Sequence, residues 1–409
     1  MGLRVVAFTD TYLPTVNGVT YTVQSWRDRW NGTGTRTTPD GGGAGLVRAS
    51  DADTPANPAT SVATPAAGAR TDSRGWMDVV YPVSAHKPES GEFPVRSARF
   101  PFYDGFRVAS PSVPSELPAA PDVVHAHTPF GLGLAALRYA RRVDAPLVAS
   151  YHTPAGEYAG YVARSDWLTD RVRGTVETYE RLFLDRAATV VAPSAATRRH
   201  VRAQVGVAAP VEVIGNGVDV DRFRPVATAE FRARYDLPDG PLVGYTGRHG
   251  FEKNLDRILD AVEGLAATVV FGGDGPARGH LESRAETVDA DVRFLGFLAR
   301  EELPAFYSAL DAFLFPSPVE TQGLVALEAN ACGTPVVGAD AGALADTVDQ
   351  GVTGYRFEPG DTEAFRAALE RTLAEDDRLR EACLDRRDEV SVERSVDRLE
   401  AVYGGVLED

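Results

Sequence analysis

The chain has 409 residues, 44% of them hydrophobic, and a formal net charge of −16. That length and apolar share suit two domains with real cores, while the acidic balance argues against nucleic acid as a partner, because phosphate binding needs a basic surface. Cys332 and Cys383 are the only cysteines, too few for a disulfide framework or a thiolate metal site.

No apolar window is long enough to span a bilayer. The chain runs at once into LRVVAF (3–8), without the zones of a signal peptide, so a cytoplasmic location is expected. Lys87 and Lys253 are the only lysines; every other basic residue among the 42 is arginine. An acidic, lysine-poor chain fits a GC-rich genome and a halophilic cytoplasm, where surface charge aids solubility.

Short apolar runs alternate with amphipathic stretches, the pattern of parallel α/β architecture. In the first half, strands are expected at 3–8, 77–82, 122–127, 146–151, 188–193 and 211–215. The second half adds 242–247, 267–273, 292–296, 312–317 and 334–339. Two doubly wound sheets follow, with a junction near GNGVDVDRFRPV (215–226), where a Gly-Asn-Gly turn and Pro225 break the alternation. The domains are therefore expected at 1–222 and 223–388, with a C-terminal helix over 389–409 packing back on the first. Residues 31–75, rich in Gly, Pro, Thr and Ala, are expected to form a disordered surface insertion, since they cannot bury enough surface to offset their ordering entropy.

Ligands bind beyond the carboxyl ends of strands in open α/β sheets, so residues just after strands matter most. FTDTYLPTVNGV ends in Asn17-Gly18 at a helix start, where glycine lets backbone approach a ligand and helix N–H groups favour an anion. A turn that merely starts a helix has the same appearance. DVVHAHTPFG places His125 and His127 on one strand; they are read as pointing to opposite faces, hence as no metal pair. His127, at the strand end, is either a ligand contact or a structural histidine. YTGRHGFEKN sets Arg248 and Lys253 where the next helix begins, a poor place for cations unless an anion binds there. VVFGGDGP contributes Gly273 and Asp274 at another strand end.

Glu320 is expected in the loop after the strand at 312–317, and Glu328 inside a helix beginning around Gln322. The N–H groups of Gln322, Gly323 and Leu324 would then be first-turn donors. No further carboxylate stands at a spacing that completes a metal clamp, and Asp219-Val-Asp221 reads as part of a junction turn.

In this order the motifs DTYLPTVNGV, HAHTPFG, YHTP, VIGNGVD, GRHGFEKN, GGDGP and ETQGLVALEANACGTPVV resemble the retaining, GT-B fold glycosyltransferases of family 4, over about residues 8–360 outside the insertion. Gly215 stands where that family usually has proline. The resemblance implies two Rossmann-like domains facing a cleft, a nucleotide-diphosphate sugar (UDP- or GDP-linked hexose) as donor substrate, no cofactor and no metal. Arg248 and Lys253 would neutralise the leaving diphosphate, with Gly18 and the amides of Gln322, Gly323 and Leu324 assisting. His127 would contact the transferred sugar, Glu320 its hydroxyls, and Glu328 the ribose. Gly273 and Asp274 would line the donor site.

SYHTPAGEYAGYV (150–162) is similar to the matching stretch of diacylglycerol and other lipid glycosyltransferases, which puts Tyr151 and His152 on the acceptor side. Aromatics among arginines at 96–108, and Trp167 among arginines at 161–183, suit contact with an anionic membrane at its inner face. Core packing with solvated charges accounts for the same residues. The leading expectation is hexose transfer to a membrane lipid or lipid-linked acceptor. Transfer to a soluble sugar or glycan, and a non-catalytic sugar-nucleotide-binding protein, are the alternatives.

Overall fold

The computed structural model describes residues 2–15, 17–32, 74–99, 107–117, 120–152 and 166–408. The insertion expected at 31–75 lies almost wholly outside the described residues, as do 153–162 of the acceptor stretch, most of the aromatic segment at 96–108, and the side chain of Trp167.

The first sheet holds β1 (Leu3–Phe8), β2 (Gly75–Pro82), β3 (Glu92–Val95), β4 (Val123–Ala126), β5 (Leu147–Ser150), β6 (Thr189–Ala192) and β7 (Val211–Val213) in the order β3-β2-β1-β4-β5-β6-β7, every pair parallel. The second holds β8 (Leu242–Thr246), β9 (Thr268–Gly272), β10 (Asp291–Gly296), β11 (Ala312–Phe315), β12 (Val336–Ala339) and β13 (Gly354–Phe357) in the order β10-β9-β8-β11-β12-β13, also all parallel. In each sheet the strand order reverses at the strand that comes first in the sequence. Crevices therefore open at the carboxyl ends of β1 and β4 and of β8 and β11.

Parallel strands are covered on both faces, so their side chains are apolar almost without break. Val6 and Phe8 of β1 enter one core layer while Val5 and Ala7 enter the other. Seven helices bear on the site: α1 (Gly18–Trp30), α2 (Gly131–Val143), α3 (Ala195–His200), α4 (Asp256–Val262), α5 (Leu303–Ala309), α6 (Leu324–Ala331) and α7 (Val392–Glu408). Asn17 caps α1 through its side-chain oxygen, which accepts from Thr20 N at 2.9 Å.

The C-terminal helix α7 completes the first domain. Val392, Val396, Leu399 and Tyr403 fill the same layer as Val5, Trp26 and Trp30, and the Trp30 and Tyr403 rings meet edge-on at 5.3 Å. The two chain crossings between domains run side by side: Val218 N donates to Val390 O at 2.8 Å, and Val392 N returns to Val218 O at 2.9 Å. Arg29 of α1 braces this junction by pairing with Asp219, Asp221 and Glu393. The Asp-x-Asp thus holds an arginine.

Candidate active site

On the first-domain side, His127 follows β4 and its N–H donates to Phe8 O of β1 at 2.8 Å. The expectation that His125 and His127 point to opposite faces is corrected here: their rings stack at 4.2 Å and 22°. Positions two apart on a strand share a face. His127 Nδ1 meets His152 Nε2 at 3.0 Å, while His125 is held by Tyr403 Oη at 2.6 Å and Ser150 Oγ at 2.8 Å. The Trp26 indole packs beside all three rings. Burial pushes His125 down to about 3 and His152 to about 4, and holds His127 well below its ordinary value, so all three are neutral at pH 7.

Asp10, just after β1, was not singled out from sequence. Its buried carboxylate accepts from Thr128 Oγ1 at 2.6 Å and from Leu132 N at 3.1 Å, tying the first loop to the start of α2, and burial raises it to about 6. Tyr151 turns away from His152 into the core, with its hydroxyl 3.2 Å from His200 of α3.

On the second-domain side, Arg248 and Lys253 do not stand at an α-helix start. Arg248 precedes one 3₁₀ turn, Phe251–Lys253, and Lys253 ends it, because Asn254 takes a left-handed φ of 51° and delays α4 to Asp256. Each cation has an acidic partner: Arg248 pairs with Glu252, and Lys253 Nζ with Glu320 Oε1 at 2.5 Å. The Lys253 and Glu320 side chains are only 16% and 13% exposed, so this pair is more than a solvated surface contact. Gly273 has φ 101°, and a Cβ there would lie 2.0 Å from Gly247 O. Close approach of two loops therefore requires that glycine. Asp274 accepts from the next N–H, Gly275, at 2.7 Å.

The helix expected to begin around Gln322 begins at Leu324, since Gly323 adopts φ 76°, a conformation glycine takes at little cost. Glu328 sits one turn into α6, its carboxylate accepting from Tyr307 Oη of α5 at 2.8 Å. Burial pushes it up to about 7, against that hydrogen bond and the nearby charges of Arg300 and Arg222.

The turn at 320–324 joins the halves. Thr321 Oγ1 donates to His152 O at 2.8 Å, and Thr197 Oγ1 to Thr321 O at 2.9 Å. Asn216 N donates to Gln322 Oε1 at 2.9 Å, while Asn216 O accepts Trp26 Nε1 at 2.7 Å. A Cβ on Gly215 would come 2.7 Å from Gln322 Nε2, a local reason for glycine where the family pattern has proline. Gly18 faces the same turn: a Cβ there would touch Leu324 Cδ1 at 3.5 Å. Lys253, Glu320, Thr321, His152 and His127 thus form one continuous run of contacts across the cleft. Arg300 adds a second link that the sequence did not mark, its guanidinium lying 3.7 Å from the Tyr21 ring centroid of α1. Among the described residues, no group of three or more His, Cys, Asp or Glu side chains could hold a metal ion.

Two parallel-sheet Rossmann-like domains with charged strand-end loops meeting between them are the GT-B arrangement. Residues 61–222 match the Glycosyltransferase Family 4 domain, and residues 228–387 the domain described as Glycosyl transferases group 1. The chain belongs to this glycosyltransferase family. It is 35% identical to sulfoquinovosyl transferase SQD2 of Arabidopsis thaliana, over 75% of this chain and 62% of that protein. It is 33% identical to a GDP-mannose-dependent alpha-mannosyltransferase of Mycolicibacterium smegmatis, over 69% and 74% of the two chains. To an alpha-monoglucosyldiacylglycerol synthase of Streptococcus pneumoniae it is 28% identical, over 69% and 66%. The chain therefore spans less than two thirds of the first relative's length. The fold matches that of Anabaena Alr3699/HepE in complex with UDP and glucose, with a TM-score of 0.67, 17% identity, and coverage of 98% of this chain and 100% of that one. No described helix is long and apolar enough to cross a membrane.

Proposed function

We propose that the protein transfers a hexose from a nucleoside-diphosphate sugar to a membrane lipid or lipid-linked acceptor, with retention of anomeric configuration and without a metal ion. The observation that carries this reading is the half-buried Lys253–Glu320 pair, joined through Thr321 to the histidines of the opposite domain. Arg248 and Lys253, neutralised at rest by Glu252 and Glu320, exchange those partners for the donor diphosphate. Preorganised cations then stabilise the charge that builds on the leaving phosphate. Glu320, freed, accepts from the sugar hydroxyls; Glu328 accepts from the ribose; His127 meets the transferred sugar. Gly18, Gly273, Asp274 and the amides of Gln322 to Leu324 line the donor site. The similarity to an alpha-monoglucosyldiacylglycerol synthase favours a lipid acceptor and work at the inner membrane face, with His152 near the acceptor side. The acidic, lysine-poor composition suits a halophilic cytoplasm.

The test is one assay series. Thermal-shift screening against UDP-, GDP- and ADP-hexoses selects the donor, and product is then sought in lipid extract and its anomeric configuration read by NMR. We expect an α-linked glycolipid formed equally with or without EDTA, and a turnover roughly 10²–10³-fold lower in Lys253→Ala. Product on water-soluble acceptors alone, an inverted anomer, or near-normal turnover in the variant would each overturn the corresponding part of the proposal.

A further inference from the structure

We propose that His152 is a positioning residue for His127: its ring hydrogen bond sets the tautomer in which His127 offers an Nε2–H to the transferred sugar. The inference rests on the reading above that His127 meets that sugar.

Both rings are neutral, so each carries one N–H and one bare nitrogen. Their 3.0 Å contact, Nδ1 of His127 to Nε2 of His152, holds a single hydrogen. Two arrangements satisfy it. In one, His152 Nε2–H donates, His127 Nδ1 accepts, and the hydrogen of His127 is on Nε2. In the other, His127 Nδ1–H donates, His127 Nε2 is bare, and His152 carries its hydrogen on Nδ1. Among the described residues, His127 Nε2 and His152 Nδ1 are both buried with no hydrogen-bond partner. The second arrangement therefore strands an N–H inside the protein at His152. The first strands one as well, so the tally is equal, but it falls on the ring that the proposed function sets against the transferred sugar, where bound substrate relieves it. Its one unmet N–H sits on His127 Nε2. With Nδ1 already engaged, Nε2 is the only ring nitrogen left for a ligand, and a sugar oxygen supplies the acceptor it lacks.

The neighbours make His152 the residue that decides. His125 has both ring nitrogens occupied, by Tyr403 and Ser150, and touches His127 only through its ring face. His152 lies nearly parallel to His127, at 12° and 5.3 Å. Its carbonyl is held by Thr321 from the other domain. The turn that carries Glu320 thus also steadies the group that orients His127.

The test uses the whole protein labelled with ¹⁵N-histidine, its seven histidines assigned by single substitutions. We expect His127 to show a protonated Nε2 and a bare Nδ1. In steady-state kinetics, His152→Leu should lower turnover roughly 10–100-fold, by analogy with partners that orient metal-ligating histidines, with donor KM within about twofold. His152→Gln, whose amide can still donate to His127 Nδ1, should recover most of the loss. Thermal-shift response to the donor identifies which variants are folded and still bind. A hydrogen on Nδ1 of His127, or equal turnover in the Leu and Gln variants, would overturn the inference. Near-normal turnover in His127→Leu would instead remove the reading of His127 on which it stands, and the inference with it.

Discussion

At the scale of single residues, the cleft at rest is a set of charges that neutralise one another. Lys253 holds Glu320 and Arg248 holds Glu252, while Glu328 accepts from Tyr307 and has no cation in hydrogen-bond contact among the described pairs. Its folded value of about 7 lies above the ordinary 4.5. A group raised in this way contributes its stability below the unfolded value and loses it as pH rises through the folded one. At about pH 8 the buried charge costs on the order of 2–3 kcal/mol. Glu328→Gln should therefore raise the unfolding midpoint at about pH 8, with a smaller gain near pH 5, while weakening donor binding. An equal gain at both pH values in thermal denaturation would show that burial of the charge is not the cause.

Among the elements, α7 fastens the end of the chain to the first domain. It leaves the second domain and supplies four buried side chains to the first, with Tyr403 reaching His125. Leu399 is fully buried there, and Leu399→Ala should cost about 2–5 kcal/mol, read from denaturant unfolding as a shift of the transition that contains the first domain. A shift below about 1 kcal/mol would mean the helix packs loosely. The strands that sequence marked are those whose apolar runs end in a turn, such as LVGYT before Gly247. Two strands of the main sheets were not marked, for local reasons. β3, Glu-Phe-Pro-Val, is short, begins with a carboxylate and contains Pro94, and β13, Gly-Tyr-Arg-Phe, carries an arginine in its middle. Both lie at sheet edges, where apolar patterning is weakest and proline is tolerated.

For the whole molecule, the charge of −16 is the dominant long-range effect. Exposed pairs such as Arg222–Glu301 and Arg293–Asp291 contribute little each, whereas the excess of carboxylates repels itself across the surface. Raising KCl from about 0.05 M to about 2 M shortens the screening length to a few ångströms, so the thermal midpoint should rise. A fall across that range would show that surface ion pairs outweigh self-repulsion.

Sequence by itself determined the two α/β domains and the residue types at their strand ends, because strand burial writes apolar runs and loops follow them at fixed offsets. It marked Arg248, Lys253, Glu320, Glu328 and His127 by residue type and place after a strand. Only the tertiary structure decided who meets whom. Lys253 and Glu320 are 67 positions apart, and Thr321 and His152 are 169 apart. His125 and His127 share a face, His152 closes on His127, and Arg300 reaches Tyr21 from the other domain. Hydrogen bonds, ring contacts and desolvation depend on distances of a few ångströms, and those are set by how two sheets and a returning helix pack, a quantity that no local pattern of residues contains.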